Sequence, residues 1–102
     1  QENFYHAFLA GQLSRKGYVV NSNREEGLGR SDITVKDRKN RRAIVIETKV
    51  TDSEGKLESA CNTALQQIAE KQYALAIKKA GYQQVLSFGI AFYQKQCCIK
   101  VA

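Results

Sequence analysis

The chain has 102 residues, 43% hydrophobic and 25% charged. That is enough for one domain with a single modest core, in the composition range of ordinary globular proteins. No apolar run is long enough to span a membrane, and no basic-then-apolar leader opens the chain. The chain is therefore expected to work in the cytoplasm, away from any membrane. Residues 1–102 form one expected domain, starting directly on a helix-like pattern as a piece cut from a longer protein would.

Sixteen Lys and Arg against ten Asp and Glu leave a net charge of +6 and a pI near 9.4. A basic balance suits a polyanionic partner, because each neutralised phosphate releases counterions. The three cysteines, Cys61, Cys97 and Cys98, lack metal-ligand spacing and are odd in number. They are expected to be free thiols in a reducing compartment, with no zinc site and no structural disulfide. Cys97 and Cys98, being adjacent, would point to opposite faces of a strand.

In chain order, residues 2–16 place Tyr5, Phe8, Leu9, Gln12 and Leu13 on one stripe at helical spacing. Gly17 follows Arg15 and Lys16, a stop signal with cations at the carboxyl end. A strand is expected over residues 18–23, then a turn-rich loop through Gly27 and Gly29. A second strand covers about residues 31–36, with Ile33 and Val35 alternating against Asp32 and Thr34. After a polar turn comes the most β-like stretch, residues 43–50. A long helix is expected over about residues 53–80, with Leu57, Cys61, Ala64, Leu65, Ile68 and Leu75 as its apolar stripe. Thr51, Asp52 and Ser53 are candidate N-caps, and Gly81 is placed to end the helix. Residues 85–93 and 97–101 read as a closing hairpin. The order α-β-β-β-α-β-β indicates an α/β sandwich on a mixed sheet, with a crossover through the long helix.

Asp32, Glu47 and Lys49 carry the chemistry. Two acids and a lysine on apolar strands can hold a divalent cation and address a water or phosphate beside it. Glu-x-Lys alone is common on half-exposed strands, so geometry has to discriminate. A hairpin centred between Lys39 and Asn40 would set Asp32 directly opposite Glu47, with Cβ atoms about 5 Å apart. Like charges so placed repel, and a metal ion between them would turn the repulsion into coordination. Lys49 falls on the same strand face as Glu47, whereas Ile44, Ile46, Thr48 and Val50 take the other face and can pack on a helix.

An acid ending one strand and Glu-x-Lys in the next resembles the PD-(D/E)XK nuclease superfamily. Further segments carry the resemblance: Glu2-Asn3-Phe4-Tyr5-His6, Ser22-Asn23-Arg24-Glu25, Gly27-Leu28-Gly29-Arg30, Ala64-Leu65-Gln66-Gln67-Ile68 with Tyr73, and Gly89-Ile90-Ala91-Phe92-Tyr93. Together they are similar to the nuclease-like domain at the carboxyl end of bacterial AAA-ATPase-like proteins. Ser31 stands where the superfamily name has proline.

The resemblance implies an α-β-β-β-α-β restriction-endonuclease-like core, with a central mixed sheet flanked by helices. It implies a metal-dependent nuclease hydrolysing DNA, in which Asp32 and Glu47 ligate Mg²⁺ or Mn²⁺ with the backbone carbonyl of Thr48. Lys49 would orient or activate the attacking water. Gln67 would reach towards the scissile phosphate or the lysine, and Glu2 would add an acid near the metal. An ordinary first-turn acid also explains Glu2.

His6 reads as a structural histidine and Tyr73 as packing. Arg24 and Arg30, flanking the glycine-rich loop, could clamp phosphates or simply be solvated. Arg38, Lys39, Arg41 and Arg42 form a basic turn, either a solvated tip or a non-specific DNA contact. A homodimer would match two active sites to two strands, and an attached or associated AAA-type ATPase is a further implied partner. The alternatives are a catalytically silent nucleic-acid-binding or regulatory module, and a protein-interaction domain serving such an ATPase.

Overall fold

The computed structural model describes residues 18–22 and 32–102, arranged as a five-stranded mixed sheet with two helices. The expected first helix and the glycine-rich loop, with Glu2, His6, Arg24, Gly27, Gly29 and Arg30, lie outside the described residues. The strands are β1 (Val19–Ser22), β2 (Ile33–Asp37), β3 (Arg42–Val50), β4 (Gln84–Tyr93) and β5 (Gln96–Val101), adjacent in chain order. All neighbours are antiparallel except β3 and β4, whose parallel pairing needs the helical crossover between them. No helix among the described residues is long and apolar enough to cross a membrane.

The β2–β3 hairpin has the expected register. Ile33 pairs with Ile46, Val35 with Ile44 and Asp37 with Arg42, which centres the turn between Lys39 and Asn40. Asp37 organises that turn: its carboxylate accepts from the Asn40 amide side chain at 2.8 Å, the Asn40 backbone at 3.3 Å and Arg42 Nε at 2.9 Å. These donors, the Asn40 side chain foremost, hold the Asp37 carboxyl below the usual range.

The crossover differs from one continuous helix. A 3₁₀ turn, Glu54–Lys56, leads into α1 (Leu57–Lys71), and Gln72 then breaks the helix in the left-handed region (φ 58°, ψ 36°) before α2 (Tyr73–Lys79). The break follows from the apolar stripe. One turn beyond Ile68 a straight helix would turn Lys71 and Gln72 inward. Rephasing at Gln72 buries Tyr73 instead and leaves Leu75 44% exposed. Among the candidate caps, Ser53 is extended at the helix entrance but makes no side-chain cap bond, and Asp52 pairs with Lys56 at 2.9 Å. Gly81 ends α2 with φ 105°, as its position suggests.

Each face of the sheet carries its own core. The two described helices pack on the face carrying Val45, with Val45, Ile68 and Tyr73 forming a core that Leu65, Ala74, Ile77 and Val85 complete. Ile44 and Ile46 join Val20, Ile33, Val35, Phe88, Ile90 and Phe92 on the opposite face. Both faces of β3 are apolar over residues 43–46, so alternation alone does not choose which face the crossover helices take.

Gly89 fixes how close α1 approaches. It pairs with Glu47 across the parallel ladder, and a Cβ there would lie 2.6 Å from the Cys61 carbonyl and 3.1 Å from Ala64 and Leu65. The Cys61 thiol donates to the Gly89 carbonyl at 2.9 Å, and burial pushes it up to about 11. In β5, exposed Cys97 pairs with Phe92 and half-buried Cys98 with Ala91, on opposite faces as alternation requires. Gly89→Ala should destabilise the domain by about 1–3 kcal/mol through overpacking, read as a Tm several degrees lower in a thermal melt. An unchanged Tm would mean that α1 has room to retreat.

Candidate active site

The site lies where the far end of the β2–β3 hairpin meets α1. Glu47, in the middle of β3, is only 3% exposed, and Thr48 beside it is fully buried. A carboxylate so buried requires donors, since stripping it of water without them costs several kcal/mol. The Asp32 backbone N–H donates to Glu47 Oε1 at 3.3 Å, and Gln67 Nε2 from α1 donates to Oε2 at 2.8 Å.

Asp32 sits in the bend just before β2, at the position the register sets opposite Glu47. Its carboxylate turns onto the next residue of β3, where Thr48 N–H donates to Oδ2 at 3.0 Å and Thr48 Oγ1 at 2.9 Å. Hydrogen-bond donors thus offset part of the like-charge repulsion within the protein itself.

Lys49 joins the same network. Its half-buried ammonium donates to Gln67 Oε1 at 2.8 Å. Lysine can only donate and a carboxylate can only accept, so the Gln67 amide has one workable orientation: oxygen to Lys49, nitrogen to Glu47. Gln67 thereby holds the lysine and the acid at fixed spacing. Its neighbour Gln66 faces outward and bonds Glu70 at 3.1 Å.

Tyr73, assigned by sequence to packing, does pack in the core, close to the network. It is 6% exposed in the helix-side core. Burial raises its hydroxyl above the ordinary tyrosine value, and the negative charge of Glu47 raises it further. Only its distance from Gln67 along a presumed straight helix was visible in sequence, and the break at Gln72 is what turns it towards the site.

The structure thus brings Asp32, Glu47, Thr48, Lys49 and Gln67 together; Glu2, Arg24 and Arg30 lie outside the described residues. The donor set suits a hard cation. Two carboxylates are what Mg²⁺ ordinarily takes from a protein, water and substrate oxygens completing its shell. Among the described residues no cluster of three or more His, Cys, Asp or Glu could form an all-protein cage.

A mixed sheet with a helical crossover, and acids with a lysine at the hairpin end, define a restriction-endonuclease-like domain. The chain belongs to the PD-(D/E)XK nuclease superfamily, whose family model matches residues 1–102. No curated protein and no solved structure gives a match.

Thr48→Val removes one of the two bonds to Asp32 Oδ2 while keeping side-chain size. Hydrogen bonds to charged groups are worth about 1.5–3 kcal/mol, so the urea midpoint should fall by a corresponding amount with an unchanged m-value. Thr48→Ser should recover most of it. Equal stability of wild type and Thr48→Val would show that the Asp32 carboxylate does not depend on that hydroxyl.

Proposed function

We propose that this domain is a metal-dependent deoxyribonuclease. The observation that supports the reading best is the convergence of Asp32, Glu47 and Lys49 on one network, joined through Thr48 and Gln67. On this reading Asp32 and Glu47 hold Mg²⁺ or Mn²⁺, with the Thr48 carbonyl as a further oxygen donor and Glu2 as an additional acid. The bound cation supplies a water of lowered pKa and screens the phosphoryl oxygens.

The chain's own residues supply position and charge. Lys49 is a compact donor on a flexible stem, suited to orient the water and meet charge developing on the phosphate. Gln67 keeps the Lys49 ammonium from collapsing onto Glu47, since it takes the lysine's proton donor itself and offers its own to the acid. Buried Thr48 fixes the Asp32 carboxylate, so little reorganisation is left for the reaction. Arg24 and Arg30 are assigned to the nucleic-acid backbone. The net charge of +6 favours a polyanionic substrate. Paired two-fold copies would address both strands of a duplex.

The test is cleavage of linear duplex, single-stranded and four-way-junction DNA with Mg²⁺ or Mn²⁺, against EDTA and beside Glu47→Ala. The expected result is metal-dependent cleavage that falls at least about a hundredfold in the variant, the scale of losing a preorganised charge partner. Lys49→Ala should lower kcat comparably. No cleavage by the wild type on any substrate with metal present would overturn the proposal.

A further inference from the structure

The end of the sheet away from the carboxylates carries a second concentration of charge that the reaction does not use. Arg38 and Lys39 are exposed at the β2–β3 turn, and Lys78 and Lys79 are exposed in the last turn of α2. Each pair alone would read as a solvated tip or a complement to the helix dipole. Arg41 joins them into one rim. Its guanidinium donates from Nε to the Gly81 carbonyl at 3.2 Å and from a terminal nitrogen to the Ala80 carbonyl at 3.4 Å, and stacks 4.4 Å from the Tyr82 ring. The Arg41 carbonyl in turn accepts from the Gln83 amide at 2.8 Å. The hairpin tip is thereby bound to the residues just after α2.

Lys36 extends the rim towards the site. It pairs with Ala43, which shares a strand face with Glu47 four residues on. At about 3.3 Å per strand residue the two lie roughly 13 Å apart, about four steps along one strand of a duplex. Asp37, the acid of the tip, is already bonded to Asn40 and Arg42. Among the described residues, Arg38, Lys39, Lys78 and Lys79 make no ion pair. Four cations with no ion pair among the described residues, gathered on one rim by the Arg41 contacts, fit a row of phosphates, for which charge and not base identity is what matters.

We propose that this rim is a separate docking site for the nucleic-acid backbone, gripping duplex DNA a few base pairs from the bond placed at Glu47. The proposal rests on the nuclease reading for the orientation of the duplex but not for binding itself.

Binding of a labelled duplex of about 20 base pairs, long enough to span rim and site, is followed by fluorescence anisotropy in EDTA across a salt series. The proteins are wild type and a variant combining Arg38→Gln, Lys39→Gln, Lys78→Gln and Lys79→Gln. Wild-type cleavage in Mg²⁺ is measured in parallel. The rim variant should bind about tenfold or more weakly, and its salt dependence should be shallower by about 0.9 per lost phosphate contact. The two double variants, Arg38→Gln/Lys39→Gln and Lys78→Gln/Lys79→Gln, should each show part of the effect, guarding against a folding defect in the quadruple variant.

Wild-type affinity and slope retained by the rim variants would overturn the rim, while metal-dependent cleavage would still uphold the nuclease. Rim-dependent binding without wild-type cleavage would uphold the rim and overturn the nuclease reading. A wild type that binds no duplex even at low salt would overturn the rim whatever the cleavage result.

Discussion

The site depends on the register of one hairpin. Closing β2 and β3 around the Lys39–Asn40 turn brings Asp32 to the position opposite Glu47, and a slip of one residue would carry Glu47 to the other face. The turn is held at its tip by Asp37, whose carboxylate takes Asn40 and Arg42. At its other end the same register forces two acids together, an arrangement a purely structural hairpin would avoid. The protein stabilises it with backbone and hydroxyl donors: Asp32 N–H to Glu47, and both donors of Thr48 to Asp32.

The second constraint is the distance of α1 from the sheet. Gly89 lies beside Glu47, and its missing side chain lets the Cys61 turn of α1 settle on β4. That approach carries Gln67 to the sheet, where it bridges Glu47 and Lys49. The left-handed Gln72 then redirects the chain so that Tyr73 fills the core under the network. Packing and chemistry therefore share parts. Tyr73 is a core residue whose hydroxyl feels the charge of Glu47, and Gln67 sits at the edge of the buried stripe.

Much of this was legible in the residues. The order and approximate bounds of the described strands, the crossover, the hairpin register and the clustering of Asp32, Glu47 and Lys49 all follow from alternation, turn chemistry and spacing. The break at Gln72 was not legible, because glutamine carries none of the glycine or asparagine signal that usually marks a left-handed residue. Which face of β3 the crossover helices take was not legible either, since Val45 on one face and Ile44 and Ile46 on the other are equally apolar. Nor did sequence show that the Asp32 carboxylate would turn onto Thr48, since a side-chain rotamer at a strand end is set by tertiary donors. The joining of two basic segments by Arg41 is a contact across 40 residues, beyond the reach of any local pattern.

The central claim is that Asp32 and Glu47 act as one metal-binding unit. The most direct test is calorimetric titration of Mn²⁺ into the wild-type protein and into Asp32→Asn and Glu47→Gln, which keep size while removing charge. A site in the wild type that weakens at least about tenfold in each variant, the scale of losing one ligand or its support, is the predicted result. Wild-type Mn²⁺ affinity in both variants would contradict the account.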